Sequence, residues 1–444
     1  MTPRYGQGAG AQVPPAPGHA LDWPPIIEDC HVSEVSEHPP RRYAEAETES
    51  PYAWLRLATT VLLSTIGGVG MWSGIVALPA IQAEFAVDRA DAALPYTLTM
   101  LGFGAGGVLI GRLVDRFGLV LPVAGAIFAL GLGYLAAGHA TTLWQFSLAY
   151  GLLIGIGSAA TFAPLMADIS QWFTRRRGIA VAICASGNYW AGTVWPPLVQ
   201  HFIASAGWRA THIGIGLFCV AAMLPLLLLL RRPAPRSAEA PAQALAASAR
   251  ARLGISTTAL QVLLVLAGIA CCAAMSMPQV HIVAYCGDLG YGVARGAEML
   301  SLMLGFGIIS RIASGWIADQ IGGLATLLVG SALQGVALML YLSFNGLTSL
   351  YVVSALFGLF QGGIVPSYAI IIREFFPPNE AGTRVGIVIF ATVIGMAFGG
   401  WISGVIFDLT GSYRAAFANG LLWNLLNLSI ASWLMLRRRR VALA

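Results

Sequence analysis

The sequence predicts an all-α membrane protein with twelve transmembrane helices in two six-helix halves. Three observations carry this prediction. First, the 444 residues are 57% hydrophobic and only 10% charged, with a mean hydropathy of +0.73, which is too little charge to cover a soluble globule of this size. Second, apolar stretches of about 20 residues, enough to cross about 30 Å of hydrocarbon, recur twelve times, six on each side of a polar insert at 231–255. Third, Gly111-Arg112-Leu113-Val114-Asp115-Arg116-Phe117-Gly118 returns 204 positions later as Gly315-Trp316-Ile317-Ala318-Asp319-Gln320-Ile321-Gly322, each time ending an apolar run. Two similar halves with a site between them permit alternating access, one bundle rocking against the other around the bilayer midplane.

Residues 1–53 are rich in Pro, Glu and Ser and lack a basic start followed by an apolar run. They read as a disordered cytoplasmic tail, not a cleavable signal. The first bundle, 54–230, holds spans near 57–80, 92–113, 119–139, 144–170, 178–203 and 209–230. A cytoplasmic linker, 231–255, tethers it to the second bundle, 256–436, with spans near 258–284, 297–318, 324–343, 349–372, 384–407 and 412–436. Residues 437–444 read as a cytoplasmic tail. Glycines four apart, as in Gly102/Gly106, Gly107/Gly111, Gly151/Gly155, Gly395/Gly399 and Gly400/Gly404, give small faces on which helices pack closely. Pro164 lies nine residues before Phe173, and Pro366 nine before Phe375, each in the fourth span of its half. A proline inside a span frees backbone groups that only protein or cavity water can satisfy, so both kinks are expected to face the transport path.

Every basic residue is arginine. With both termini in the cytoplasm, twenty of the 25 arginines fall on the inner side, four (Arg89, Arg209, Arg295, Arg414) fall outside, and Arg311 lies within the membrane. The positive-inside rule supports this orientation. The net charge of +5 is thereby accounted for by topology, without nucleic-acid binding. All-arginine usage and short loops fit a bacterial inner membrane. The six cysteines show no metal-ligand spacing, and no nucleophile–base pair or phosphate-cradling loop is present, so neither an enzyme nor a metal or cofactor is expected.

The Gly-x-x-x-Asp-Arg-x-Gly turn resembles the loop signature of the major facilitator superfamily, although Leu119 and Val120 stand where a basic pair often follows. The resemblance narrows along Pro79 to Phe85, where Pro-x-x-Gln-x-Glu-Phe closes the first span. It narrows further through Pro164, Trp172-Phe173, Arg175-Arg176-Arg177, Ala185-Ser186-Gly187-Asn188, Pro197-Leu198 and Gly207-Trp208-Arg209. These stretches are similar to monocarboxylate transporters and oxalate/formate-type antiporters. The resemblance implies the major facilitator fold and a functional monomer. It also implies that Arg311 grips a substrate carboxylate, as an arginine at this place in the eighth helix does in monocarboxylate transporters. A mid-span arginine costs upwards of about 2.5 kcal/mol unless paired or hydrated, and its planar fork matches a carboxylate.

Two departures bear on coupling. Animal monocarboxylate transporters place an acid where this chain has Gly307 and a lysine where it has Trp72. Protons are then carried only through Arg311, His281 or the substrate, and a single positive charge favours a monoanion. His281, near the outer end of the seventh span, reads as hydrogen-bonded packing. Polar and aromatic residues on the first, fourth, fifth and tenth spans complete the candidate site: Trp72, Phe162, Asn188, Tyr189, Gln361 and Tyr368. Gly111, Asp115, Arg116, Gly118, Gly315, Asp319 and Gly322 form the candidate gating loops, with Asp115 expected to hold a neighbouring helix N-terminus or an arginine in one conformation. The expected function is secondary transport of a small organic monocarboxylate through a lipid bilayer, by uniport, exchange or proton symport. A proton-driven exporter of hydrophobic compounds and a non-transporting membrane sensor are the alternatives.

Overall fold

A chain in lipid must satisfy its backbone polar groups internally, and this one does so with helices. The computed structural model describes residues 49–173, 175–232 and 255–443. Most of the expected N-terminal tail and the linker residues 233–254 lie outside the described residues. The first half comprises α1 (Pro51–Phe85), α2 (Arg89–Phe117), α3 (Val120–Gly138), α4 (Leu143–Trp172), α5 (177–206) and α6 (208–228). The second comprises α7 (Thr257–Asp288), α8 (Val293–Ile321), α9 (Gly323–Ser343), α10 (Leu347–Phe375), α11 (Pro378–Thr410) and α12 (Tyr413–Leu443).

Among the described residues ten helices are long and apolar enough to cross a membrane by themselves. The other two spans emerge from local chemistry. Residues 177–228 form two separate helices, α5 and α6, divided at Gly207, whose φ of 81° and ψ of 158° break the helical backbone between them. The last span, α12, is less apolar because Asn424 and Asn427 sit in it, and both are fully buried. Asn424 Nδ2 donates to Ser331 O at 3.1 Å and Gln334 Oε1 at 3.0 Å, and Asn427 Nδ2 to Ser331 Oγ at 2.7 Å, fastening α12 to α9. Most of the helices overrun the apolar stretches, and residues 437–443, expected as a separate tail, continue α12.

The repeated turns stop α2 and α8 in the same way. Gly118 (φ 76°, ψ 174°) and Gly322 (φ 84°, ψ 161°) occupy backbone space that only glycine takes readily, and their N–H groups close the helices on Val114 O and Ala318 O. Most of the spaced glycines mark close helix crossings. A Cβ at Gly102 would overlap Gly151 O, and Cβ atoms at Gly395 and Gly399 would overlap backbone of Ile269 and Ala273, so α2 packs onto α4 and α11 onto α7. Gly107 and Gly111 differ: nothing lies within 4 Å of a Cβ at either.

One apolar cluster belongs to the first half alone, from Ala53 to Leu230. The other fills the second half and draws in Trp72, Tyr96, Met100 and Tyr189 from the first, so the seam between halves is packed. At the face carrying the start of α1 and the end of α12, here the termini face, Arg56 grips Asp168 through Nε (2.7 Å) and Nη2 (2.8 Å), tying α1 to α4.

Candidate functional site

The fourth helix of each half is interrupted just ahead of its proline. Regular α-helix stops at Ala159 and resumes at Ala163 before Pro164, and stops at Gln361 and resumes at Ile364 before Pro366. Proline has no N–H to give the carbonyl four residues back. For Pro366 that carbonyl is Gly362 O, which accepts from Arg311 Nε at 3.4 Å. A second α8 side chain uses the same opportunity across the seam, where Ser301 Oγ donates to Thr193 O, the carbonyl left open by Pro197 on α5. Proline-freed carbonyls of α10 and α5 thus receive the polar side chains of α8.

Arg311 is 8% exposed. Besides Gly362 O, its Nη1 donates to Ala185 O on α5 at 2.9 Å, and its Cζ stands 4.3 Å from the centroid of the Tyr189 ring. The guanidinium therefore bridges the two halves. Among the described residues no carboxylate pairs with it. The neutral contacts offset part of its desolvation: a desolvated cation–π contact contributes about 2 kcal/mol or more, and hydrogen bonds to charged groups about 1.5–3 kcal/mol each.

The structure gathers some of the other candidates and separates the rest. Tyr189 lies against Arg311, and Asn188 precedes it on α5. Trp72 Nε1 donates to Asn188 O at 3.3 Å, joining α1 to the same stretch. Asn188 Oδ1 is buried, and Gln361 wholly so; that oxygen and both polar atoms of the Gln361 amide have no partner among the described residues. Gln361 adjoins Gly362 in sequence. Tyr368 lies elsewhere, its hydroxyl donating to Asn427 Oδ1 at 2.9 Å inside the second half. Phe162 sits at the α4 interruption with its ring 5.9 Å from that of Phe103. A lateral groove of about 330 Å³ between α5 and α8, lined by Thr193, Pro197, Glu298, Ser301 and Phe306, does not include Arg311.

Sequence reasoning missed a cluster at the face opposite the termini. Asp408, near the end of α11, accepts the backbone N–H groups of Arg89 (2.9 Å) and Ala90 (2.7 Å), the first residues of α2. Arg89 donates from Nη1 to Tyr413 Oη at 3.0 Å and from Nη2 to Asp288 Oδ1 at 3.1 Å. The imidazole of His281 lies between Tyr413 Oη (3.2 Å) and Gly400 O (2.8 Å), the hydrogen-bonded packing expected of it. Loop acids are common, and only folding brings these onto one helix start. At the termini face neither Asp115 nor Asp319 has a hydrogen bond or ion pair among the described residues. The helix-start role foreseen for the motif's acid is filled in the second half by Glu374, whose Oε1 accepts Gly323 N–H at 2.8 Å.

The chain is similar to known proteins in sequence and in fold. The Major Facilitator Superfamily profile matches residues 60–348 and 299–443. Monocarboxylate transporter 13 of Rattus norvegicus is 28% identical over 306 residues, 67% of this chain and 68% of that protein. The uncharacterized MFS-type transporter YcxA of Bacillus subtilis is 25% identical over 343 residues, 76% of this chain and 83% of that protein. Among solved structures, a bacterial homolog of the human lysosomal transporter Spinster, in an inward-facing and unoccupied conformation, superposes with a TM-score of 0.65 at 16% identity. It covers 88% of this chain and 98% of that one. With twelve helices in two halves and a profile match spanning nearly all of both, the chain belongs to the Major Facilitator Superfamily of multi-pass membrane transporters, and its sequence is similar to that of monocarboxylate transporters.

Proposed function

We propose that this transporter carries a small organic monocarboxylate by alternating access, with Arg311 as the anchor of the carboxylate group. The observation that carries this reading is a guanidinium buried between the halves and held, among the described residues, only by neutral groups. Such a cation is costly in lipid unless paired or hydrated, and a monocarboxylate balances it with a matching planar fork. The name of the rat relative, monocarboxylate transporter 13, supports the same class of cargo. Asn188 and Gln361, whose amides hold unpartnered buried atoms, are suited to reading polar groups on the rest of the substrate.

In this reading the arginine-rich termini face is cytoplasmic, in a bacterial inner membrane, and one subunit suffices. The cluster at Arg89 closes the outer side, while the loop acids Asp115 and Asp319 stand released at the inner side, as in an inward-facing state. Asp115 engages the α11 start when the carrier turns outward.

Purified protein in liposomes is expected to take up labelled monocarboxylates. Arg311→Ala abolishes uptake while the protein still elutes as a folded species, and Arg311→Lys, which keeps charge but loses the fork, lowers uptake at least tenfold. Undiminished uptake by Arg311→Ala overturns the assignment.

A further inference from the structure

Arg311 is held in place without being neutralised, and the way it is held leaves it open. A guanidinium presents five N–H donors around its edge and two broad π faces. Here one Nε donor and one Nη1 donor go to carbonyls, and Cζ stands over the Tyr189 ring, 4.3 Å from its centroid. The ring can lie there only because position 307, one helical turn before Arg311, is glycine: a Cβ at Gly307 would overlap Cδ1 and Cε1 of Tyr189. Tyr189 is brought to that level by close packing of α5 on α1, where a Cβ at Gly187 would come within 2.6 Å of Ser64 Cβ. It is also placed there by Gly192, where a Cβ would overlap Leu304 and crowd Trp72. An acid beside Arg311 would take edge donors and cancel the charge; an aromatic face supplies negative potential and takes neither.

We propose that Tyr189 is a positioning residue for substrate capture: its ring fixes the guanidinium by the face, so that the remaining edge donors, including the Nη2 pair, stay available to the anionic cargo. This rests on the reading of Arg311 as the carboxylate anchor. Face and edge contacts do not compete, so the site is preorganised and still uncompensated until substrate binds. The phenol hydroxyl has no part in this role, since the ring alone supplies the face.

The test uses full-length protein in liposomes with labelled acetate, lactate, pyruvate and benzoate as probes. Tyr189→Phe keeps the KM of whichever probe is carried. Tyr189→Leu, apolar but smaller and without a π face, raises KM about tenfold (~1.4 kcal/mol) with the maximal rate nearly unchanged. Tyr189→Trp, a stronger face, restores the low KM and serves as a second variant should Tyr189→Leu assemble poorly. Placing Gly307→Asp in the Tyr189→Leu background, where space has been made, lowers capture further by occupying the donors. An unchanged KM in Tyr189→Leu, or an equal loss in Tyr189→Phe, overturns the proposal while leaving Arg311 as anchor. Retention of uptake in Arg311→Ala, or no uptake of any probe by the wild type, removes the reading beneath it.

Discussion

Within a single eight-residue motif the glycines do opposite jobs, and substitution separates them. Gly118 and Gly322 stand at φ 76° and 84° with ψ near 180°, a region L side chains rarely enter. Gly118→Ala and Gly322→Ala should each cost about 1–3 kcal/mol, seen as a lower apparent melting temperature of the purified protein in detergent. Gly111 and Gly315 lie inside helices with nothing within 4 Å of an added Cβ. Gly111→Ala and Gly315→Ala should leave that temperature unchanged or raise it, because alanine loses less backbone entropy in a helix by about 0.5–1 kcal/mol. Equal effects at all four positions would contradict this division. The motif was legible in the sequence as a repeat, but which glycine sets the turn depends on φ, which a spacing pattern does not carry. Arg311 was legible because a mid-span charge is conspicuous against apolar neighbours. Its neutral holders were not, since a backbone carbonyl has no letter of its own.

At the level of elements, proline placement decides where α8 docks. Pro366 frees Gly362 O for Arg311, and Pro197 frees Thr193 O for Ser301. Pro366→Ala restores an N–H that competes for Gly362 O, tightening α10 while loosening one of Arg311's three holds. The expected outcome is an equal or higher melting temperature together with a several-fold weaker thermal shift by a transported monocarboxylate, since ligand stabilisation follows affinity. A stronger shift would show that the freed carbonyl is idle. That the prolines interrupt α4 and α10 follows from their sequence positions. That Arg311 takes the carbonyl Pro366 leaves open follows only from helix packing, because α8 and α10 approach closely where a Cβ on Gly362 would overlap Gly307 O. Polar residues inside a span are likewise ambiguous in sequence. Tyr368 and Asn427 pair with each other inside the second half, whereas Asn188 and Gln361, next in sequence to Tyr189 and Gly362, keep atoms without a partner among the described residues.

Over the whole molecule, the two faces are unequal. At the face opposite the termini, Asp408 caps the start of α2 with two backbone hydrogen bonds, and Arg89 reaches Asp288 and Tyr413, so one small cluster joins α2 of the first half to α7, α11 and α12 of the second. At the termini face the acids of both repeated loops are unengaged among the described residues. A carboxylate at a helix start contributes about 0.3–2 kcal/mol, and a charge-assisted hydrogen bond about 1.5–3 kcal/mol. Loss of both would move a two-state equilibrium by one or more factors of ten. Arg89→Gln combined with Asp408→Asn should therefore shift the carrier toward the state open at the face opposite the termini. Spin labels at Asp88→Cys and Arg414→Cys report on that face, and labels at Phe117→Cys and Thr383→Cys on the other, each pair in a background without native cysteines. In the double variant the first pair should gain a population at longer distance and the second a population at shorter distance. Reciprocity is the discriminating feature: a rigid-body rocker must close one face as it opens the other, whereas local fraying of the α2 start would lengthen the first distance and leave the second where it was.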